Sequence, residues 1–308
     1  MNIVVVGGAG FIGSHLVDRL LADGHAVDVV DDLSSGSLGN LAEARTAGGT
    51  LRINTLDAAS PALTDLVALR QPEVIYHLAA VVPGGSDPGS LAASSMATTV
   101  SVLEAARHVH GAKVVVALQG ASLYGEVPSR DQPIKEGRGW APADVRGVAA
   151  HAVLDLAQVY RDSFAVEYTA LVAPCIYGSR QRADGGVVGA FASAIRANQA
   201  PTIMGDGRQI RDLLFIDDAV DALARAAQRG DGLVVNIGTG VGTSVRDLWA
   251  AAAAVGASFR PPSPDPLFVA ERVTAPSRLT LASTRARIHL DWESWTDLAA
   301  GLAAVLGD

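Results

Sequence analysis

The chain has 308 residues, 49% hydrophobic, 18% charged and 5% aromatic, with a formal net charge of -8, which gives room for one large α/β domain or a fused pair around a substantial core. That composition excludes a disordered, collagenous or disulfide-built chain, and its acidity offers no footprint for nucleic acid or an anionic membrane. With one cysteine, Cys175, no apolar run near the ~20 residues of a membrane span and no basic leader before Ile3, a cytoplasmic protein without nucleic-acid or membrane partners is expected.

The Val-rich run at 2–6 reads as a first strand, and Gly7-Gly8-Ala9-Gly10-Phe11-Ile12-Gly13 turns it into a helix over 11–23. Gly7, Gly10 and Gly13 permit the tight turn and the close approach of a pyrophosphate to backbone N–H groups where Phe11 and Ile12 open the helix. A second strand over 26–31 closes on Asp31, 18 residues after Gly13, where a carboxylate can accept from an adenosine ribose. Asp31 repels a 2′-phosphate and so favours NADH. Ser34 and Ser35 beside it can hydrogen-bond such a phosphate and keep NADPH open. Helices are predicted near 61–70, 91–109, 144–163, 187–198, 217–229 and 243–255, with strands at 73–78, 113–118, 168–173 and 233–237. The alternation predicts right-handed βαβ units in a Rossmann-like, doubly wound parallel sheet. Residues 1–172 are expected to bind the dinucleotide. A smaller substrate-binding region spans 173–308, with about 210–240 returning to the first unit. Gly/Pro-rich breaks at 83–89, 125–142 and 261–266 are candidates for loops over the carboxyl ends of the strands.

The residues Gly7 to Gly13 with Ser14-His15-Leu16, then Asp31-Asp32-Leu33-Ser34-Ser35-Gly36, resemble the extended short-chain dehydrogenase/reductase family of NAD-dependent nucleotide-sugar epimerases and dehydratases. His77-Leu78-Ala79-Ala80, Leu103-Glu104-Ala105-Ala106, Tyr124-Gly125, Ile176-Tyr177-Gly178, Gly205-Asp206-Gly207, Arg211-Asp212 and Asn236-Ile237-Gly238 continue the likeness in order. The resemblance implies cofactor contacts from Asp32 beside Asp31, from Asp57 and Ala58 at the adenine, and from Leu78, Ala79 and Ala80.

The family's usual chemistry needs a Ser or Thr, a Tyr, and a Lys four residues after the Tyr, so that both lie on one helix face and the ammonium lowers the phenol's pKa. Aligned to that segment, this chain carries Gly120, Arg146 and Ala150. The only lysines are Lys113 and Lys135, preceded four residues earlier by Val109 and Asp131, so no register supplies the pair. Arg146 is permanently protonated and cannot inherit the phenol's role, although it can stabilise an anion. Ser95 and Cys175 occupy positions where the family often has Asn, and Arg211 remains where relatives often meet a diphosphate. The candidate substrate contacts are therefore Ser95, Ser122 and Arg146. Tyr124, Tyr177 and His77 read as packing residues, His151 as a core or surface residue, and Asp217-Asp218 as a helix cap; no metal site is expected.

The apolar replacements lead to a specific expectation: an NADPH- or NADH-dependent ketoreductase. It resembles a triad-lacking branch of the family and reduces a ketone of an aromatic polyketide, of angucyclinone type, in antibiotic biosynthesis. In that reading the substrate or water supplies the proton, the partner is a small aromatic ketone, and the chain is a monomer or a homodimer. Two alternatives stand beside it: a dinucleotide-binding pseudoenzyme or regulator, and a nucleotide-sugar epimerase or dehydratase with substitute residues.

Overall fold

A computed structural model describes residues 1–79, 87–270 and 276–307. The first half alternates β1 (Asn2–Val6), α1 (Phe11–Ala22), β2 (Ala26–Asp31), α2 (Ala42–Thr46), β3 (Leu51–Thr55), α3 (Ala62–Arg70), β4 (Val74–His77) and α4 (Pro88–Arg107). It continues through β5 (Lys113–Gln119), α5 (Gly120–Tyr124), α6 (Val145–Phe164) and β6 (Tyr168–Ala173). After these come β7 (Cys175–Tyr177), α7 (Val187–Ala197), β8 (Thr202–Met204), β9 (Ile210–Arg211), β10 (Leu213–Phe215), α8 (Ile216–Ala226) and β11 (Leu233–Asn236). The chain ends through β12 (Thr243–Ser244), α9 (Val245–Gly256), β13 (Leu267–Val269), β14 (Arg278–Leu279), α10 (Thr284–His289) and α11 (Leu298–Gly307).

Seven parallel strands form the main sheet in the order β11-β6-β5-β4-β1-β2-β3. Ile3, Val4, Val5 and Val6 of β1 are all buried, because helices cover both faces and a central strand has no wet side. Helices α1 and α8 pack together on one face, and α4 lies against α3 and α6 on the other. Strand order reverses between β1 and β4, so the loops leaving their carboxyl ends diverge and open a crevice there. The α/β class and the doubly wound sheet agree with the sequence reading.

Strand β3 is absent from that reading. It alternates Leu51 and Ile53 with Arg52, Asn54 and Thr55, and it lies at the sheet edge. Its polar residues serve β2: Arg52 meets the Asp28 carboxylate at 3.2 Å and Asn54 donates to the Val29 carbonyl at 3.0 Å. Polar side chains with partners on a neighbouring strand hide a strand from a hydrophobicity pattern.

The carboxyl-terminal elements build small sheets, β7 with β10, β8 with β13, and β9 between β12 and β14. Asp212, fully buried between β9 and β10, ties three segments together. Its Oδ1 accepts from Thr239 N at 3.0 Å and Thr239 Oγ1 at 2.7 Å, and its Oδ2 from Gly240 N at 3.1 Å and Leu281 N at 3.0 Å. The neighbouring Arg211 is held at a defined place by this knot. Asp217 and Asp218 lie in the first turn of α8, but the expected capping role goes elsewhere. Asp218 is buried and accepts from Trp295 N at 3.3 Å and Thr296 N at 3.2 Å, docking the carboxyl-terminal segment.

Candidate active site

The loop from β1 to α1 is shaped by backbone contact. A Cβ at Gly13 would collide with the Gly7 carbonyl, and Gly7 itself has φ +82°, a left-handed conformation that favours glycine. Gly10 is the N-cap of α1 and offers no side-chain hydrogen bond to the helix, so the first N–H groups, including those of Phe11 and Ile12, lack a capping side chain. Gly13→Ala is expected to lower NAD affinity at least tenfold, measured by titrating the purified variant. Wild-type affinity would show that the close approach is dispensable.

A cavity of about 90 Å³ lies at the carboxyl ends of β1, β2 and β3, with Gly7, Asp31, Asp32, Ser34, Ser35, Asp57, Ala58 and Ala79 among its lining residues. These eight were all proposed from sequence, and the structure brings them to one place. Asp31 is fixed by its surroundings: Oδ2 accepts from Ala9 N and Oδ1 from Leu33 N, both at 2.9 Å. Asp32 Oδ1 accepts from the Ser34 amide and hydroxyl. The fit to a dinucleotide is good, with an uncapped helix start for the pyrophosphate, and an acidic wall with apolar neighbours for the adenosine. Leu78 donates its N–H to Val6 O at 3.0 Å in the same crevice, whereas Ala80 lies outside the described residues. Ser94 and Thr98 of α4 also line this cavity and were missed in sequence. Their neighbour Ser95, the expected contact, is buried, its Oγ has no hydrogen-bond partner among the described residues, and it does not line this cavity.

His77 ends β4 beside this crevice and is fully buried. Thr99 Oγ1 donates to the Ser95 carbonyl at 2.7 Å and so accepts from His77 Nε2 at 3.0 Å. Burial pulls the imidazole down to about 3. The folded state therefore excludes a proton that the unfolded chain takes up at its ordinary value near 6.5, so stability is full above that value and falls as pH drops towards 3. Urea unfolding is expected to lose up to about 1.4 kcal/mol per pH unit from this group in that window. His77→Gln should flatten the slope, and an unchanged slope would exclude His77 as its source.

A second cavity, of about 480 Å³, opens where β5, α5, α6 and β7 converge, lined in part by Gln119, Ser122, Glu126, Asp144, Arg146, Cys175 and Arg211. Of the expected contacts, Ser122 and Arg146 meet here and Ser95 does not. Gly147 allows the meeting: a Cβ there would collide with the Ser122 carbonyl, so its absence lets α6 close on α5. The two carboxylates differ in their ties. Glu126 spends Oε2 on Ser277 N at 2.7 Å and Oε1 on the Ser277 hydroxyl. Asp144 caps α6, with Oδ1 accepting from Gly147 N at 2.7 Å, and Oδ2 has no hydrogen-bond partner among the described residues. Burial pushes the Cys175 thiol up, which keeps it protonated at neutral pH. Arg211 donates to the carbonyls of Ile210 and Pro276 and also lines a third cavity of about 370 Å³, beside Thr202, Ile203, Met204 and Phe191. The two larger cavities thus share Arg211 and Pro276.

Other singled-out residues lie away from this chemistry. Tyr124 is buried and donates to Asn236 Oδ1 at 2.7 Å, and Tyr177 is buried against Phe215. His151 is exposed enough to face Asp155 at 3.8 Å. Lys113 is at the opposite end of β5 from Gln119 and bonds Asp231 and the Arg229 carbonyl, while Lys135 is exposed. Among the described residues no group of three His, Cys, Asp or Glu stands close enough to hold a metal, and no helix is long and apolar enough to cross a membrane.

Residues 3–238 match the family model for the NAD dependent epimerase/dehydratase family. The chain belongs to that family. It is 40% identical to a UDP-glucose 4-epimerase of Mycolicibacterium smegmatis, over 98% of this chain and 96% of the relative. Among solved structures, UDP-glucose 4-epimerase from Thermotoga maritima with UDP-glucose superposes with a TM-score of 0.92 at 29% identity, covering 100% of this chain and 98% of that one. UDP-glucuronic acid 4-epimerase from Bacillus cereus, in complex with UDP-glucuronic acid and NAD, gives 0.88 at 25%, with 100% and 98% covered. The family carries NAD, and this member is an enzyme of the NAD-dependent epimerase/dehydratase type. These likenesses overturn the expected ketoreductase of an aromatic polyketide, its antibiotic-biosynthetic setting and its aromatic ketone partner, because the relatives are named for UDP-sugars. The apolar replacements that suggested a flat aromatic are local: the same cavity keeps two arginines, two carboxylates, Gln119 and Ser122.

Proposed function

We propose that this protein binds NAD and a UDP-sugar and inverts the sugar at C4, with residues other than Tyr and Lys handling the proton. The observation that carries the reading is the pair of adjoining cavities meeting at Arg211. The larger one takes the sugar, Arg211 takes the diphosphate by charge-assisted hydrogen bonds, and the third cavity takes the base and ribose. Gly10, Phe11, Ile12 and Gly13 would hold the pyrophosphate of NAD. Asp31, Asp32, Ser34, Ser35, Asp57, Ala58, Leu78 and Ala79 would hold its adenosine half. NAD held there would supply reversible hydride exchange at the sugar carbon.

The chain's own task is to accept and return the proton of the 4-hydroxyl. Arg146 cannot do so, Cys175 remains a thiol, and Glu126 is engaged at both oxygens. Asp144, with one oxygen fixed at the helix cap and the other facing no partner, is assigned as the acceptor, and Ser122 as a donor to the sugar hydroxyls. UDP titrated calorimetrically into the NAD-loaded protein is expected to fill one site per chain, and Arg211→Ala to weaken it at least tenfold. Failure of UDP to bind the NAD-loaded protein would overturn the reading.

A further inference from the structure

Resting on that nucleotide-sugar reading, we infer that the sugar itself carries an anion, so that the substrate is a UDP-hexuronate-type compound recognised by Arg146. Arg146 is the second residue of α6 and lines the proposed sugar cavity. Farther along the same helix Arg161 pairs with Glu167 at 3.0 Å, but Arg146 has no ion pair or hydrogen bond among the described residues. Neither cavity carboxylate forms an ion pair with Arg146 among the described residues: Glu126 is engaged by Ser277 at both oxygens, and Asp144 accepts at Oδ1 from Gly147 N.

Arg211 and Arg146 thus divide the work. Arg211 is shared with the neighbouring cavity and serves the diphosphate; Arg146 is confined to the sugar cavity and is surplus to a neutral hexose. A guanidinium presents paired N–H groups that match a carboxylate bidentately, which makes a sugar carboxylate the fitting partner.

The test compares UDP, UDP-glucose and UDP-glucuronic acid by calorimetry on the NAD-loaded protein. UDP-glucuronic acid is expected to bind at least tenfold tighter than UDP-glucose at low ionic strength, with the advantage shrinking as salt rises. Arg146→Gln should erase the advantage, and Arg146→Lys should restore part of it. Equal binding of the two sugars by the wild type, or an advantage that survives Arg146→Gln, overturns the inference while leaving the nucleotide-sugar reading intact. Binding of none of the three overturns both.

Discussion

Asp144→Asn is expected to lower C4 inversion by the NAD-loaded protein about 10²-fold or more, the usual share of a general base, while the urea midpoint stays where it was. The two roles of this residue separate cleanly. Its Oδ1 caps α6 through the Gly147 N–H at 2.7 Å, and Asn caps a helix about as well as Asp. Its Oδ2 is the proposed proton acceptor, and an amide in its place binds no proton at neutral pH. Asp144→Ala, in contrast, should lose both the rate and about 1 kcal/mol of stability. Turnover and urea unfolding measured on the same preparations decide the matter. An Asn variant with wild-type turnover would move the proton to another group.

Asp212→Asn should destabilise the protein by about 3 kcal/mol or more, since each buried donor left unpaired costs roughly 1–3 kcal/mol. The carboxylate now accepts four hydrogen bonds from Thr239, Gly240 and Leu281. An amide has one acceptor oxygen, and its NH₂ would face N–H donors that it cannot accept from. Burial pushes the Asp212 pKa up, and the four donors pull it back. Because β9 and β10 flank this residue, UDP affinity should fall together with the urea midpoint as Arg211 loses its fixed place. A variant as stable as the wild type would show that water satisfies these donors.

The sheet was legible in the sequence because its strands are buried on both faces and read as unbroken Val-rich runs such as Ile3 to Val6. The cofactor cradle was legible for a different reason. Its glycines and Asp31 are needed at fixed offsets from a strand end, so local order in the chain maps onto local order in space. Asp31, Asp57, Ala58 and Ala79 indeed line one cavity. The proposed sugar cavity was less legible, since it is assembled from α5, α6, β7 and residue 276, which only the tertiary fold brings together. Asp144 carried a signal, an Asp directly before a helical pattern, but that pattern means a cap far more often than a base. Ser95 lies off the cofactor cavity for a helical reason: its neighbours Ser94 and Thr98 turn towards that cavity, while Ser95 turns inward.

The apolar replacements, together with the absent Tyr-x-x-x-Lys pair, were what pointed towards an aromatic ketone. Arg146 and Ala150, aligned to its place, differ from the pair the family usually carries, and in the proposed reading another group handles the proton. They leave the cavity's polar wall and the arginine shared by two cavities in place. A missing acid alters one step of a reaction more readily than it alters the ligand that a whole cavity accepts.

UDP-glucose and UDP-glucuronic acid deuterated at C4, incubated with the NAD-loaded protein and followed by NMR, should each be partly inverted with the deuterium still on C4, as required if the hydride leaves and returns to the same carbon. A bound sugar that keeps its configuration and its label indefinitely would contradict the account.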